Sequence, residues 1–269
     1  MPVLKHGDRG KSVTLLQQLL SENSVLDGAA SGRFDDETLR AVMLFQDRKN
    51  LSRDGVAGLE TLGSLVALRP TPASIVSTVT PAKAAKMFPE RSVAGNIARN
   101  LPFVLEALEE AGLGYKDMVL MALATIRAET AGFRPISEGK SKFNTSAFGT
   151  ANEGPAFDLY DDRGDLGNRG HPDGASYRGR GYVQLTGRSN YRSIGAALGM
   201  GSDLETQPEL ANDPATAGRI LAAFLKTREH KIRAALLFDD LPAARRLVNG
   251  GSHGLDRFTK AYKAGAKAL

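Results

Sequence analysis

Apolar residues recur at helical spacing in three short segments near the start of the chain. Residues 12–23 carry apolar side chains at helical intervals. Residues 35–50 open on acidic side chains, which suit a helix N-terminus, and then present an apolar side. Residues 58–68 repeat the pattern, and turns that begin with Asp-Gly separate the three segments. The pattern predicts a three-helix bundle over residues 1–69.

A second, longer domain is predicted after a proline-containing joint. Residues 70–80 are rich in Pro, Ser, Thr and Ala, which is typical of a linker, and Thr80-Pro81 suits a helix start. Helical patterns follow at 81–88, 92–112, 116–131, 189–198, 213–227 and 241–248. The Gly- and Asp-rich segment 133–185 predicts a small β-hairpin lobe. We therefore predict a mainly α protein whose second domain, 81–269, is α+β and mostly helical.

Composition and charge narrow the function classes. The chain has 269 residues and no cysteine, which excludes disulfides and thiolate chemistry. The first residues lack the apolar core of a signal peptide, so we expect synthesis in the cytoplasm. The net charge is +5, and all of the surplus lies after residue 69. This charge suits a polyanionic partner, either nucleic acid or an anionic wall or membrane, but it equally suits simple solubility.

Two glutamates, Glu129 and Glu138, stand on either side of a break in the helical pattern. Residues 117–126 are apolar nearly all round, which predicts a buried helix that ends near Glu129, before Gly132 and Pro135. Burial and the helix dipole should both raise the pKa of Glu129, as a general acid requires. Glu138 lies in a polar stretch that should keep it ionised. Paired carboxyls of this kind are typical of glycoside hydrolysis, although most glutamates are solvated surface groups.

The N-terminal segment resembles a known binding module. Its stretches "LKHGDRGKSVTLLQQLL", "GRFDDETLRAVMLFQ" and "LSRDGVAGLETLGSL" follow the order found in the three-helix peptidoglycan-binding module of bacterial and phage wall hydrolases. The resemblance spans residues 4–65. It implies a wall-binding function, and the alternative is a purely structural helical appendage. Removing residues 1–69 should then weaken binding to purified wall and spare turnover on soluble fragments.

The second domain resembles the family-19 glycoside hydrolases, the chitinase-like lysozymes. The resemblance rests on "YRGRGYVQLTGRSNY" from residue 177, "LVNGGSHGLDRFTKAY" from residue 247, and the stretch around the two glutamates. It implies a lysozyme-like fold, with Glu129 as general acid and Glu138 as the base that activates water. It also implies a set of residues that bind the substrate: Tyr182, Gln184, Thr186, Asn190, Asn249 and Arg257.

Two departures from that family pattern leave the base open. Ala128 stands where the family usually has histidine, and the residues after Glu138 differ from the commoner version. Asp161, Asp162 or Asp165 could replace Glu138 as the base. Thr145 is a further candidate for positioning the water, and Tyr177 and Tyr191 for offering a ring face to a sugar.

Together these features predict a peptidoglycan hydrolase of the endolysin type. The expected reaction is inverting hydrolysis of the β-1,4 bond between N-acetylmuramic acid and N-acetylglucosamine, on the periplasmic wall after release from the host cytoplasm. The alternatives are a chitinase and a non-catalytic wall-binding protein. We expect a monomer that needs no cofactor and binds no nucleic acid. We also expect no metal site, since His6, His171, His230 and His253 are scattered. Weak contact with anionic membrane through the basic C-terminal segments is a lesser alternative.

Overall fold

The computed structural model describes residues 2–130, 132–249, 251 and 254–269. The chain forms two compact units. The first contains Met1–Pro72 and Arg228–His253, and the second contains Ala73–Thr227 and Gly254–Leu269. The predicted boundaries, 1–69 and 81–269, therefore differ from the compact units in where residues 228–253 belong.

Helices dominate both units, which confirms the predicted mainly α class. No helix in the described part of the chain has the length and apolar character needed to cross a bilayer. In chain order the helices are α1 (Lys11–Glu22), α2 (Asp36–Arg48), α3 (Leu59–Ala67), α4 (Pro81–Ala85), α5 (Ala94–Glu110), α6 (Lys116–Glu129), α7 (Asp173–Ser176), α8 (Arg188–Ala197), α9 (Asp203–Thr206), α10 (Pro214–Lys226), α11 (Glu229–Leu237), α12 (Leu241–Asn249) and α13 (Leu255–Ala268).

Two buried glutamines fix the loops of the first unit. The Gln17 side chain donates to the Arg33 carbonyl over 2.9 Å and accepts from the Gly32 N–H over 2.8 Å. Gln46 likewise donates to Asp54 Oδ1 over 2.8 Å and accepts from the Gly55 N–H over 3.0 Å. Each side-chain amide thus links a glycine-containing turn to the helix on which the glutamine lies. The Leu-Gln and Phe-Gln pairs of the sequence therefore supply both a core residue and a loop anchor.

Helix α11 belongs to the core of this first unit. Ala234 is fully buried among the apolar residues of α1–α3, and Leu237 and Phe238 pack against the same core. Helix α3 can approach α11 closely because a side chain at Gly63 would lie 3.3 Å from Lys231 Cγ. The sequence prediction that 81–269 forms one domain is wrong for this segment. The charged stretch "REHKIR" at the start of α11 obscures the apolar pattern of this helix in the sequence.

The second unit is built around α6. Residues Met118–Ala128 of this helix are buried, as the apolar run predicts. Helix α13 approaches α6 closely, since an added Cβ at Gly265 would lie 2.6 Å from Leu120 Cδ2. Thr80 caps α4 by accepting from the Lys83 N–H, which confirms the predicted helix start.

Part of the predicted linker belongs to the folded second unit. The Ile75 N–H donates to the Gly114 carbonyl over 2.9 Å, and Ser74 forms an isolated antiparallel bridge with Tyr115. Residues 73–80 therefore belong to the second unit and residues 70–72 to the first, so the predicted linker 70–80 is divided between the two units.

The β structure of the second unit is small and is not a hairpin. Strand β1 (Ile136–Ser137) pairs antiparallel with strand β2 (Arg180–Gly181), with Ile136 opposite Gly181. A long irregular segment separates the two strands in sequence, so a hairpin turn does not join them. The predicted β-hairpin lobe is thus an antiparallel pair formed across that segment, which brings Glu138 beside the residues that follow Tyr177.

A network of ion pairs connects helices α7, α8 and α9. Arg188 makes two hydrogen bonds to Asp173, of 2.8 and 2.5 Å, and one of 3.0 Å to Glu205. Arg192 adds two more to Glu205, of 2.8 and 2.7 Å. Hydrogen bonds from Arg192 and then Arg188 lower the pKa of Glu205 to about 2, although burial opposes the shift.

We expect this network to make the second unit acid-sensitive between about pH 4.5 and pH 2. Glu205 has a lowered pKa, so its stabilisation is complete above its ordinary value of 4.5 and is lost as the pH falls toward about 2. Glu205→Gln should lower the free energy of unfolding at pH 6 by about 2 kcal/mol, because hydrogen bonds between charged groups are lost. Urea unfolding from pH 6 to pH 2 should show this difference shrinking. A constant difference across the range would contradict the assignment.

Candidate active site

Glu129 ends α6 and is half-buried, at the position the sequence predicts. The chain then turns sharply, with Phe133 in the left-handed region at a φ of 49°. Two asparagines of α5 hold this turn: Asn96 donates to the Gly132 carbonyl over 2.8 Å and Asn100 to the Phe133 carbonyl over 2.9 Å. These bonds fix the backbone between the end of α6 and the start of β1 against α5.

Glu138 follows β1 directly, and three donors surround its carboxylate. Oε1 accepts from Asn144 Nδ2 over 2.9 Å and from the Tyr160 hydroxyl over 3.0 Å. Oε2 accepts from the Gly179 N–H over 3.2 Å. Lys140, near in sequence, pairs with Glu153 over 2.5 Å instead. Neutral donors therefore hold Glu138, and its orientation suits an ionised carboxylate that accepts hydrogen bonds.

The tyrosine that contacts Glu138 stays protonated over the physiological range. Burial first, and then the nearby Glu138 charge, raises the pKa of Tyr160 to about 12. The Tyr160 hydroxyl is therefore a donor to the carboxylate and does not compete for its proton. Its backbone carbonyl accepts from Asn168 Nδ2 over 2.7 Å, which fixes the residue from the other side.

Asn144 is a fully satisfied support for Glu138. It is completely buried, and its second donor bond goes to the Gly139 carbonyl over 2.9 Å. Its Oδ1 accepts from the Ser141 N–H over 2.8 Å and from Thr145 Oγ1 over 3.0 Å. Since every donor and acceptor of the amide is used, the orientation of the Asn144 side chain is fixed. Thr145 is 1% exposed, so it orients Asn144 and does not itself reach a bound water.

Gly179 lets three polar side chains converge. A Cβ at this position would lie 2.8 Å from Gln184 Oε1, 3.2 Å from Glu138 Oε2 and 3.3 Å from Thr186 Oγ1. All three oxygens thus surround one point, and Glu138 Oε2 lies within about 6.5 Å of Thr186 Oγ1. The structure therefore brings Glu138, Gln184 and Thr186, three of the residues named by the family resemblance, into one cluster, which we call the Gly179 cluster.

Gln184 reaches this cluster through an unusual backbone conformation. Its φ is 52°, in the left-handed region that a non-glycine residue seldom adopts. Its amide donates to the carbonyls of Ile136 and Gly181, each over 3.2 Å, so it clamps β1 to β2. The predicted substrate residue Asn190 lies next to it on α8, exposed, and donates to the Thr186 carbonyl over 2.6 Å.

The tyrosines of the motif are core residues. Tyr182 and Tyr191 are fully buried, and Tyr177 is 6% exposed. Tyr182 packs edge-on against Phe133, with ring centroids 6.2 Å apart. A ring enclosed in this way has no face for a sugar, so the prediction that Tyr182 binds substrate is wrong. Phe143, two residues before Thr145, carries an exposed ring on the same lobe and is 76% exposed.

The alternative bases have other partners. Asp161 is 6% exposed and accepts from the Gly174 N–H over 2.7 Å, which closes the loop that contains His171. Asp165 makes two 2.6 Å bonds to Arg163, which lower its pKa. These contacts give Asp161 and Asp165 structural roles. Glu138 is the carboxylate that lies beside Gln184 and Thr186 near Gly179, whereas Asp162 lies near Gly170.

The last two predicted substrate residues lie on different helices. Asn249 ends α12 in the first unit, whereas Arg257 lies in the first turn of α13 in the second. The implied single helix that would carry both is therefore wrong. Gly250, Ser252 and His253, part of the motif between them, lie outside the described residues. Arg257 lines a cavity of about 400 Å³ together with Lys86 and Arg127.

The sequence interpretation missed Asn144 and Tyr160. Both contact Glu138, yet they stand 6 and 22 residues after it. The "KFNTS" stretch around Asn144 departs from the commoner family version, so the resemblance gave no signal there. Only the packing of the 139–160 loop back onto β1 reveals these partners.

Residues 9–65 match the family described as "Putative peptidoglycan binding domain". This match confirms the resemblance predicted for the N-terminal helices. Among solved structures, a chitinase C mutant is 23% identical over 72% of this chain and 78% of its own, with a TM-score of 0.48. Chitinase C from Streptomyces griseus is 19% identical over 74% and 79%, with a TM-score of 0.44. A Burkholderia AP3 phage endolysin is 18% identical over 99% of both chains, with a TM-score of 0.24.

Proposed function

We propose that the chain is a peptidoglycan hydrolase in which the N-terminal helices bind the wall and the second unit cleaves its glycan. The observation that carries this proposal is the cluster of Glu138, Gln184 and Thr186 around Gly179. An oriented carboxylate beside an amide and a hydroxyl can bind and deprotonate a water next to a sugar. The peptidoglycan-binding match at 9–65 supports bacterial wall as the polymer.

The proposed reaction is inverting hydrolysis of the β-1,4 bond after N-acetylmuramic acid. Glu129, half-buried at the end of α6, protonates the leaving oxygen, and Glu138 takes the proton from the attacking water. An inverting pair needs its carboxyls about 6.5–9.5 Å apart, so that the water fits between base and sugar. The proposed mechanism requires Glu129, at the end of α6, and Glu138, directly after strand β1, to stand at this separation. Gln184, Thr186 and Asn190 hold the sugar and the water by hydrogen bonds.

Replacing Glu129 with glutamine should abolish most of this activity. Loss of a general acid costs about 10²–10⁴-fold, and glutamine keeps the shape of the side chain while removing its proton. The test is mass spectrometry of fragments released from purified Gram-negative peptidoglycan by the wild type, Glu129→Gln and Glu110→Gln. The last variant removes an exposed charge of α5 and is expected to cleave like the wild type.

The products separate this proposal from its rivals. Reducing N-acetylmuramic acid ends from the wild type and from Glu110→Gln, but not from Glu129→Gln, would support a muramidase with Glu129 as its acid. Cleavage of colloidal chitin but not of peptidoglycan would make the protein a chitinase. Intact wall binding without cleavage by any variant would leave a wall-binding protein and overturn the hydrolase proposal.

A further inference from the structure

A stripe of basic side chains runs along one side of α13. Arg257, Lys260, Lys263 and Lys267 recur at intervals of three and four residues, which places them on one helix face. Asp256 is the only acidic residue of this helix. From Arg257 to Lys267 the stripe extends about 15 Å, at about 1.5 Å for each residue. The stripe therefore presents a row of positive charge rather than one isolated cation.

Two cavities share the cations of this stripe. The charged residues that line the cavity of about 400 Å³ are Lys86, Arg127, Asp256, Arg257 and Lys260. Those that line the cavity of about 510 Å³ are Lys86, Lys260, Lys263 and Lys267. Arg127 pairs with Glu90 over 2.7 Å, and Lys260 pairs with Asp256 over 2.9 Å.

Four of these cations have no such partner. Within the described chain, no carboxylate forms an ion pair with Lys86, Arg257, Lys263 or Lys267. The two hollows share Lys86 and Lys260, and positive charge exceeds negative charge along them even though Asp256 neutralises Lys260. We call this surface, formed by Lys86, Arg257, Lys260, Lys263 and Lys267, the basic groove.

The basic groove points away from Glu129. Arg127 lines the groove and stands two residues before Glu129 on α6, so the two side chains leave the helix on nearly opposite sides. The residues that line the two cavities include neither glutamate nor any member of the Gly179 cluster. A ligand in the basic groove would thus be bound separately from the sugar being cleaved.

Insertion into a membrane does not suit the basic groove. The apolar side of α13 is already buried, with Phe258 fully enclosed and Ala261 2% exposed. Gly265 brings that side against Leu120 and Met87. An interfacial helix needs its apolar face available to lipid, and here the fold occupies that face. Only charge remains to attract a partner.

We propose that the basic groove binds a linear phosphate-bearing polymer of the cell envelope through successive phosphate groups. Lysine ammonium groups bind phosphate oxygens as point charges, and a guanidinium can hold two oxygens of one phosphate. A row of cations over about 15 Å fits repeated anions on one chain better than a single small anion. The two hollows, which share Lys86 and Lys260, give neighbouring phosphates adjacent places.

Binding of a polyphosphate chain to the full-length protein tests this proposal. The double variant Lys263→Ala/Lys267→Ala should bind inorganic polyphosphate about tenfold more weakly than the wild type and lose less affinity as salt is raised. Both lysines are exposed, and alanine favours helix, so the variant should fold. The matched control, Lys11→Ala/Lys49→Ala, removes two exposed charges from the first unit and should bind like the wild type.

Two further probes distinguish the chemistry of the ligand. Polyglutamate of the same charge should bind more weakly than polyphosphate, and vesicles of phosphatidylglycerol should bind no better than neutral vesicles. Equal binding of polyphosphate by wild type and Lys263→Ala/Lys267→Ala would overturn the proposal. Binding of anionic vesicles but not of polyphosphate would overturn it in favour of a membrane surface. No hydrolysis is measured, so the result is independent of the proposed function.

Discussion

Replacing Glu138 with glutamine is expected to slow wall hydrolysis by about 10²–10⁴-fold. The amide oxygen can still accept from Asn144 and Tyr160, so the side chain stays in place, but it cannot take a proton from water. Its NH₂ group would face the Gly179 N–H, which costs about 1 kcal/mol of stability as two donors meet. The initial rate on purified peptidoglycan measures the effect, and thermal unfolding shows that the variant is folded.

Added azide separates the loss of a base from damage to the fold. Azide is already an anion and needs no base, so it should restore part of the turnover of Glu138→Gln and give a glycosyl azide of inverted configuration. Glu129→Gln should gain nothing, because its defect lies in protonation of the leaving oxygen. A wild-type rate in Glu138→Gln would mean that another carboxylate is the base, with Asp162 the first to test.

The sequence predicts the helix before the site better than it predicts the site itself. The apolar run at 117–126 and the Gly and Pro beyond it suffice to place Glu129 at the end of a buried helix. The environment of Glu138 depends instead on residues 6, 22 and 41 positions away, namely Asn144, Tyr160 and Gly179. Lys140 stands two residues after Glu138 in sequence, yet it pairs with Glu153. Contacts across an irregular loop leave no periodic signal in the sequence.

The errors over Tyr182 and α11 have a similar origin. A motif fixes which residues occur, but not which side of a short strand faces the core, and Tyr182 faces Phe133. Residues 228–253 interrupt the second unit in sequence, and the fully buried apolar residues of α11 are few, namely Ile232, Ala234 and Ala235. The core to which α11 belongs depends on the surface against which these residues pack. Periodicity within one segment does not contain that information.

Removing residues 1–69 is expected to leave a poorly soluble protein rather than a free catalytic unit. The deletion takes away most of the core in which Ala234 is buried and against which Leu237 and Phe238 pack. Exposing such a surface promotes association, and each large apolar side chain returned to water costs about 1.5–3 kcal/mol. The truncated chain should bind a hydrophobic dye and aggregate at concentrations at which the full chain is monodisperse by light scattering. This expectation replaces the sequence prediction that turnover is spared.

A second truncation shows whether α11 is the cause. The same deletion with Leu237→Gln and Phe238→Gln makes the uncovered side of α11 polar, so it should recover solubility while the second unit, 73–227 with 254–269, keeps its own core. That variant is the proper one for asking whether wall binding has been lost, by pelleting with purified peptidoglycan. If the simple deletion is instead as soluble as the full chain, α11 and α12 do not depend on the N-terminal helices. In that case a wall-binding module confined to residues 1–69 would be sufficient.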